Sequence, residues 1–328
     1  MEKLLSLQNL SIDYRTGGGM LSAVRNVNLD IARGEILAVV GESGCGKSTA
    51  AHAVMRLLPK DSACVSGRIL FSGCDLLEMS ERDVVAMRGR HIGMIFQNPL
   101  DSLNPVATCG QQVMEAIMLD GASRQAARCR AAQLFADVKM PDPERQLERY
   151  PHELSGGLRQ RVMIAMMLAR SPELLIADEP TTALDVTIEA QIMDILSDLR
   201  EDKGTAIMLI THNFGIVAEN ADRIAVMYAG QLVEQGSVFE IFDSPAHPYT
   251  RMLMSALPRR PKREGRLSTI DGTVPLITDT SPGCRFANRC PYCIEGTCTG
   301  LDAPIRTLGD THTCACHLTE EELKWSSR

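Results

Sequence analysis

The residues best equipped for chemistry lie in one run, Gly41-Glu42-Ser43-Gly44-Cys45-Gly46-Lys47-Ser48-Thr49, which reads G-x-x-x-x-G-K-S. Glycines at 41, 44 and 46 let backbone N–H groups turn inward around a chain of phosphates with no Cβ in the way. Lys47 would reach the outer phosphates, and the Ser48 hydroxyl would complete a Mg²⁺ shell. Two elements must hold such a loop. The apolar run Ile36 to Val40 predicts a buried strand before it, and Lys47 to Leu58, stopped by Pro59, predicts a helix after it. That helix aims its positive end at the same anion. The run, with Ser43 and Thr49 included, is a site for a nucleoside triphosphate.

Other reactive types stand where α/β sheets place ligands. Leu174 to Ala177 reads as a buried strand ending in Asp178-Glu179, and Ala206 to Ile210 as another ending in Thr211-His212. Gln97 follows the stretch Arg88 to Phe96. In Leu154-Ser155-Gly156-Gly157, Ser155 is placed to cap a helix whose first N–H groups the two glycines leave open to an anion. Two residues carry two readings each. Tyr14, at a strand end, can stack on an adenine or pack on its own sheet. Cys45 can be a thiolate activated by Lys47 and the helix end, or a small inert filler.

Around these sites the pattern is mixed. Leu5, Leu7, Leu10 and Ile12, then Val27, Leu29 and Ile31 after Gly17-Gly18-Gly19, predict a strand pair. Val65 to Leu77 predicts short strands around Ser72-Gly73. From Thr108 to about Arg149 the spacing is helical, interrupted at Pro141 and Pro143. The chain has 328 residues, 45% hydrophobic and 23% charged, with net charge −7. Such an acidic balance argues against a protein built to grip nucleic acid. No apolar run nears the ~18 residues of a membrane span, and Met1-Glu2-Lys3 opens no signal-peptide pattern. A cytoplasmic protein is expected. Pro258 to Arg266 reads as a solvated linker, and six of the eleven cysteines lie beyond it, between Cys284 and Cys316. In a reducing compartment that clustering points to metal or redox chemistry.

Order and spacing together resemble the ATP-binding-cassette ATPases. The match runs through Walker A at Gly41 to Ser48, a Q-loop at Gln97, the signature Leu154-Ser155-Gly156-Gly157, Walker B at Leu174 to Glu179, a D-loop at Ala183-Leu184-Asp185 and a switch histidine at His212. Leu158 departs from the commonest signature, which has Gln there. The stretches Met94 to Pro99, Ser102 to Pro105, Ala177 to Val186, Val226 to Gly230 and His247 to Thr250 resemble the peptide/nickel importer branch, closest to the D-type subunit of dipeptide and oligopeptide permeases.

That resemblance implies a RecA-like α/β core with an antiparallel β-subdomain and a helical subdomain at about 100–165, together residues 1–257. A small cysteine-rich domain would follow at 258–328. It implies ATP hydrolysis, with Glu179 polarising water, His212 on the γ-phosphate, and Gln97 with Ser48 at Mg²⁺. Asp178 would serve the Mg²⁺ shell, and Asp185 of the D-loop would belong to the nucleotide-binding set. Ser155, Gly156 and Gly157 would clasp the nucleotide of a second, non-identical cassette. Two transmembrane permease subunits and an extracytoplasmic solute-binding protein would complete an importer, with this chain peripheral on the cytoplasmic face of a bacterial or archaeal membrane. Peptide cargo is implied; nickel or another small solute, and a soluble cassette ATPase outside transport, are the alternatives. In the tail the family carries a 4Fe–4S cluster, which would fall on Cys284, Cys290, Cys298 and Cys316. Seven residues lie between Cys290 and Cys298, one more than in the commoner family spacing. Cys290-x-x-Cys293 also reads as half a zinc site, with Cys314, Cys316, His312 or His317 completing it.

Overall fold

The computed structural model describes residues 2–98, 102–182, 185–256, 272–275, 277–278 and 282–323. Pro99, Ala183 and Leu184 of the motifs, and the linker Pro258 to Arg266, lie outside them. The strands in chain order are β1 (Lys3–Thr16), β2 (Gly19–Ala32), β3 (Ile36–Val40), β4 (Ala63–Phe71), β5 (Cys74–Asp75) and β6 (Ile92–Ile95). They continue as β7 (Leu174–Asp178), β8 (Ala206–Thr211), β9 (Arg223–Tyr228), β10 (Gln231–Ser237), β11 (Ile305–Thr307) and β12 (Thr313–Ala315). The chain divides into two compact units of interleaved segments.

One unit holds residues 1–4, 32–36 and 78–210. Its parallel strands β6, β7 and β8 lie side by side with β7 central. All three are buried along their length, the continuous apolar run that a parallel strand covered on both faces requires. The helical stretch forms Cys109–Met118, Arg124–Asp137 and Gly156–Leu168, which pack on one another. Thr108, Ser123 and Ser155 cap these helices by accepting backbone N–H bonds, so each start is written in a hydroxyl residue. Gly110 lets the first approach its neighbour: a Cβ there would stand 2.6 Å from the Leu147 carbonyl oxygen.

The other unit holds 5–31, 37–77 and 211–328. In it β2, β1, β4 and β5 form an antiparallel sheet. Its alternation slips phase twice, from Leu5 and Leu7 to Leu10 and Ile12, and from Val24 to Val27, Leu29 and Ile31, all buried. At each slip an asparagine is left-handed, Asn9 with φ 50° and Asn26 with φ 48°. Asn9 N–H donates to the Asn28 side chain and Asn26 N–H to Ser11 Oγ. These are bulges that return the apolar side chains to the same face.

A second sheet in this unit runs β3, β9, β10, β12, β11, with β3 and β9 parallel and the rest antiparallel. The cysteine-rich tail, expected as a small domain of its own, instead contributes β11 and β12 to this sheet and Phe286 to its core, packed edge-on to Tyr228 and tilted against Tyr249. A buried carboxylate makes the join. Glu234 of β10, 1% exposed, accepts from Ala246 N–H and His247 N–H and faces His312 Nε2 at 2.7 Å. Such a group is tolerated inside only because its oxygens are bonded. The helix after the phosphate loop is shorter than expected, Lys47–Val54 rather than reaching Leu58. Arg56 turns left-handed at φ 50° and donates to the Leu76 carbonyl, which ends it before Pro59.

His247 is fully buried, and burial pushes its pKa down to about 4. Because the folded value lies below the unfolded one of about 6.5, the unfolded chain takes the proton first as pH falls. Stability is then expected to decline between about pH 6.5 and 4, by about 3 kcal/mol from this group. Melting temperature against pH should fall less steeply in His247→Asn, which keeps an acceptor for the Tyr249 N–H that His247 Nδ1 accepts at 3.1 Å; equal slopes would remove His247 from the acid response.

Candidate nucleotide-binding elements

Between β3 and the helix Lys47–Val54 the loop is bent tightly enough that two glycines have no substitute. At Gly41, φ is +152°, and a Cβ would stand 2.2 Å from the Met227 carbonyl oxygen. At Gly46, φ is +98°, and a Cβ would stand 2.6 Å from the Ala23 carbonyl oxygen. Gly44 is left-handed and faces open space. Lys47 is 5% exposed, and its ammonium donates to the carbonyls of Gly41 at 2.8 Å and Glu42 at 3.0 Å. It is a cation held inside a ring of backbone with Ser43 and Gly44 exposed above, and Ser48 and Thr49 in the helix's first turn. Any polyanion entering the loop meets this charge and the helix's free N–H groups.

Cys45 settles toward the inert reading. It is 1% exposed, and burial raises its thiol pKa despite the pull of Lys47. The thiol, not the thiolate, is the resident form, because desolvation outweighs the lysine's charge there.

In the unit that carries β6 to β8, Asp178 closes β7 and is 4% exposed. Glu179, next in line, has φ 47° and donates its N–H to the Ile210 carbonyl at 2.9 Å. A left-handed non-glycine costs on the order of 1 kcal/mol; here it turns the carboxylate to two donors. Glu179 Oε2 accepts from Gln97 Nε2 at 2.8 Å and from Thr182 Oγ1 at 2.8 Å. Two residues singled out from different stretches of sequence thus meet. Thr182 is a partner that sequence reasoning did not assign, though it stands three residues past the glutamate.

Ser155 accepts from Leu158 N–H at 3.4 Å and opens the helix Gly156–Leu168. A Cβ on Gly157 would come 2.7 Å from Ile188, so this glycine also serves packing. Ser155, Gly157 and Leu158 line a surface cleft of about 540 Å³ with Arg161, Gln191 and Asp194. Arg161 is no free anion receptor, since its guanidinium donates to the carbonyls of Val138 and Lys139 and to Gln191 Oε1. Asp185 stands at the start of Val186–Lys203 without capping it through its side chain.

In the other unit His212 is exposed just past β8, and Asn213 caps the helix Phe214–Asn220 behind it. Tyr14 is half-buried opposite Ala63.

The tail cysteines converge without closing. Cys284 N–H donates to the Cys298 carbonyl at 2.8 Å, and Ile294 N–H to Cys298 Sγ at 3.3 Å. Burial pushes the Cys284 thiol up to about 12, with Cys316, Cys290 and Cys298 adding to the rise. Burial likewise lifts Cys290 to about 11, again with Cys316 and Cys298 contributing. Cys316 behaves differently, its pKa drawn down to about 7 chiefly by a hydrogen bond from Cys314. Among the described residues, however, no group of three or more His, Cys, Asp or Glu is arranged to hold a metal ion. His312 Nε2 is engaged by Glu234, and His317 Nε2 lies 3.0 Å from the Leu301 carbonyl oxygen.

Comparison with known proteins bears on both halves of this picture. The family pattern described as "ABC transporter" matches residues 24–182, and that described as "Oligopeptide/dipeptide transporter, C-terminal region" matches 233–298. A probable peptide ABC transporter ATP-binding protein of Sinorhizobium fredii is 49% identical, covering 97% of this chain and 96% of its own. The dipeptide transport ATP-binding protein of Bacillus subtilis is 46% identical over 98% and 96%. Among solved structures, a dimeric ATP-binding cassette in a post-hydrolysis state with ADP and phosphate superposes with TM-score 0.65 at 28% identity, covering 71% of this chain and 98% of that one. A component of an ABC transporter complex from Clostridium perfringens gives TM-score 0.64 at 30% identity, over 74% and 92%.

Proposed function

Since the chain belongs to the ATP-binding subunits of the oligopeptide/dipeptide ABC transporter family, we propose a residue-level account of how it works. It is an ATPase that powers a peptide importer, with membrane permease subunits and a solute-binding protein as its partners. Full-length likeness to peptide-importer ATPases carries this reading. No helix among the described residues is long and apolar enough to cross a membrane, and we place the chain at the cytoplasmic face of the permease subunits. Residues 1–257 supply the ATPase and residues 258–328 the tail.

Gly41, Ser43, Gly44, Cys45 and Gly46 would present backbone N–H groups to the phosphates, with Thr49 in the following turn and Tyr14 against the base. Lys47 would exchange its carbonyl partners for β- and γ-phosphate oxygens, a gain because charge-assisted bonds are the stronger. The hard oxygen donors of Ser48, Gln97 and Asp178 suit Mg²⁺, which would neutralise charge on the phosphates. Glu179, steadied by Gln97 and Thr182, would accept a hydrogen bond from the attacking water. The water oxygen then forms the new bond to the γ-phosphorus as the bond to the bridging oxygen of ADP breaks. His212 would donate to the γ-phosphate. Ser155, Gly156, Gly157 and Asp185 would act on the nucleotide of a second, non-identical cassette; peptides are the cargo class. Closure on ATP and reopening after hydrolysis would switch the permease between access states.

For the tail we propose a thiolate-bound 4Fe–4S cluster on Cys284, Cys290, Cys298 and Cys316, supported by the family resemblance and by the backbone bond that brings Cys284 beside Cys298. The gathering of its ligands would have to be completed as it is inserted. Zinc on Cys290 and Cys293 is the weaker alternative, because His312 is already held by Glu234.

Two experiments test these assignments. In the assembled transporter, Glu179→Gln should bind ATP normally while turnover falls about a hundredfold or more; near-normal turnover would remove Glu179 from the chemistry. Protein purified without oxygen should carry iron and acid-labile sulfide, both lost in Cys284→Ser. One equivalent of zinc and no iron would replace the cluster with the alternative.

A further inference from the structure

The phosphate loop contains a carboxylate. Glu42 sits directly after Gly41, in a loop whose task is to receive a polyanion, and its negative charge opposes that task. The structure answers it from the far end of the chain. Arg289, in the cysteine-rich tail, points its Nη1 at Glu42, donating at 3.2 Å to Oε1 and 3.1 Å to Oε2. The arginine side chain is 9% exposed and the glutamate's 26%. The guanidinium is fixed by further contacts: Nη1 to the Tyr228 hydroxyl at 3.2 Å, Nη2 to the Gly272 carbonyl at 3.3 Å, and its carbon 5.6 Å from the Tyr228 ring centroid. The backbone of Glu42 is fixed as well, its N–H donating to the Tyr249 hydroxyl at 3.0 Å.

A second contact reinforces the first. Arg285 donates to the carbonyls of Ser22 and Ala229 and to Ser22 Oγ, and the neighbouring Gly230 N–H donates to the Cys45 carbonyl at 2.8 Å. The tail segment therefore touches the loop directly through Arg289, while Arg285 holds the Ala229–Gly230 turn whose Gly230 N–H bonds the loop. A partly buried, multiply bonded arginine keeps its geometry and its charge, so it screens the carboxylate better than solvent ions could.

We propose that Arg289 is a positioning residue for nucleotide binding: it neutralises Glu42 and holds it in place, so that the tail sets the affinity of the phosphate loop for ATP. This rests on the reading of Gly41 to Ser48 as the ATP loop. The two are separable, because failure of the unaltered chain to bind Mg-ATP would sink that reading, whereas binding that ignores Arg289 would sink only this one.

The experiment is a cycle of four proteins, unaltered, Arg289→Ala, Glu42→Gln and the double variant, each titrated with Mg-ATP and assayed for KM and kcat in the assembled transporter. Arg289→Ala should weaken ATP binding about tenfold, within the range usual for coupling between sites, with the change in KM and not in kcat. Glu42→Gln should bind at least as tightly as the unaltered protein. The double variant should recover to within about twofold of Glu42→Gln, because the charge that Arg289 offset has gone. Unchanged binding in Arg289→Ala would overturn the inference. So would a double variant as weak as Arg289→Ala, since that is how a merely structural arginine behaves. Arg289→Lys, which keeps the charge and loses the fork, covers the case in which the alanine variant does not fold. It should bind within about threefold of the unaltered protein, and a loss as large as tenfold with an intact melting curve would count against charge compensation.

Discussion

Everything in the nucleotide-binding half of the chain depends on how closely the phosphate loop lies against its own sheet. A Cβ on Gly41 would stand 2.2 Å from the Met227 carbonyl oxygen, and one on Gly46 2.6 Å from the Ala23 carbonyl oxygen and 3.3 Å from Gly230. Only residues without a Cβ fit at those points. A cation as buried as Lys47 is tolerated because two carbonyls of the same loop accept from it. A loop of this shape offers a polyanion a fixed positive charge beside a helix start, in keeping with the nucleotide role proposed for it.

The same logic governs the glutamate proposed to act on water. Its left-handed backbone, its N–H bond to Ile210 and the two side-chain donors Gln97 and Thr182 fix one carboxylate from four directions. Positioning is what phosphoryl transfer asks of a protein, since the bond making and breaking involve little covalent chemistry of its own.

Much of this was legible in the sequence because it is local. The glycine pattern of the phosphate loop, the strand-end acids and the hydroxyl at the signature helix are read within a few residues of themselves. The strand pair was read there too, but as plain alternation; the bulges at Asn9 and Asn26 that shift its phase emerged only in the structure. What sequence could not show was pairing over distance. Glu42 and Arg289 are 247 residues apart, and Glu234 and His312 are 78 apart. No local pattern announces either pair, yet they join the tail to the sheet and to the loop. The orientation of Cys45 was likewise hidden, because spacing gives a cysteine's neighbours but not which side of the loop its sulfur takes. The short helix Glu81–Met87 escaped for a plainer reason: it buries only Val84 and so has almost no periodic signal.

Whether Lys47 and its loop bind the phosphates of ATP is read most directly by calorimetric titration of Mg-ATP into the unaltered chain and Lys47→Ala. Loss of one of the loop's charged contacts should weaken binding about a hundredfold or more, with the melting curve in the absence of nucleotide still cooperative. A Lys47→Ala protein that binds Mg-ATP as tightly as the unaltered chain would contradict the account.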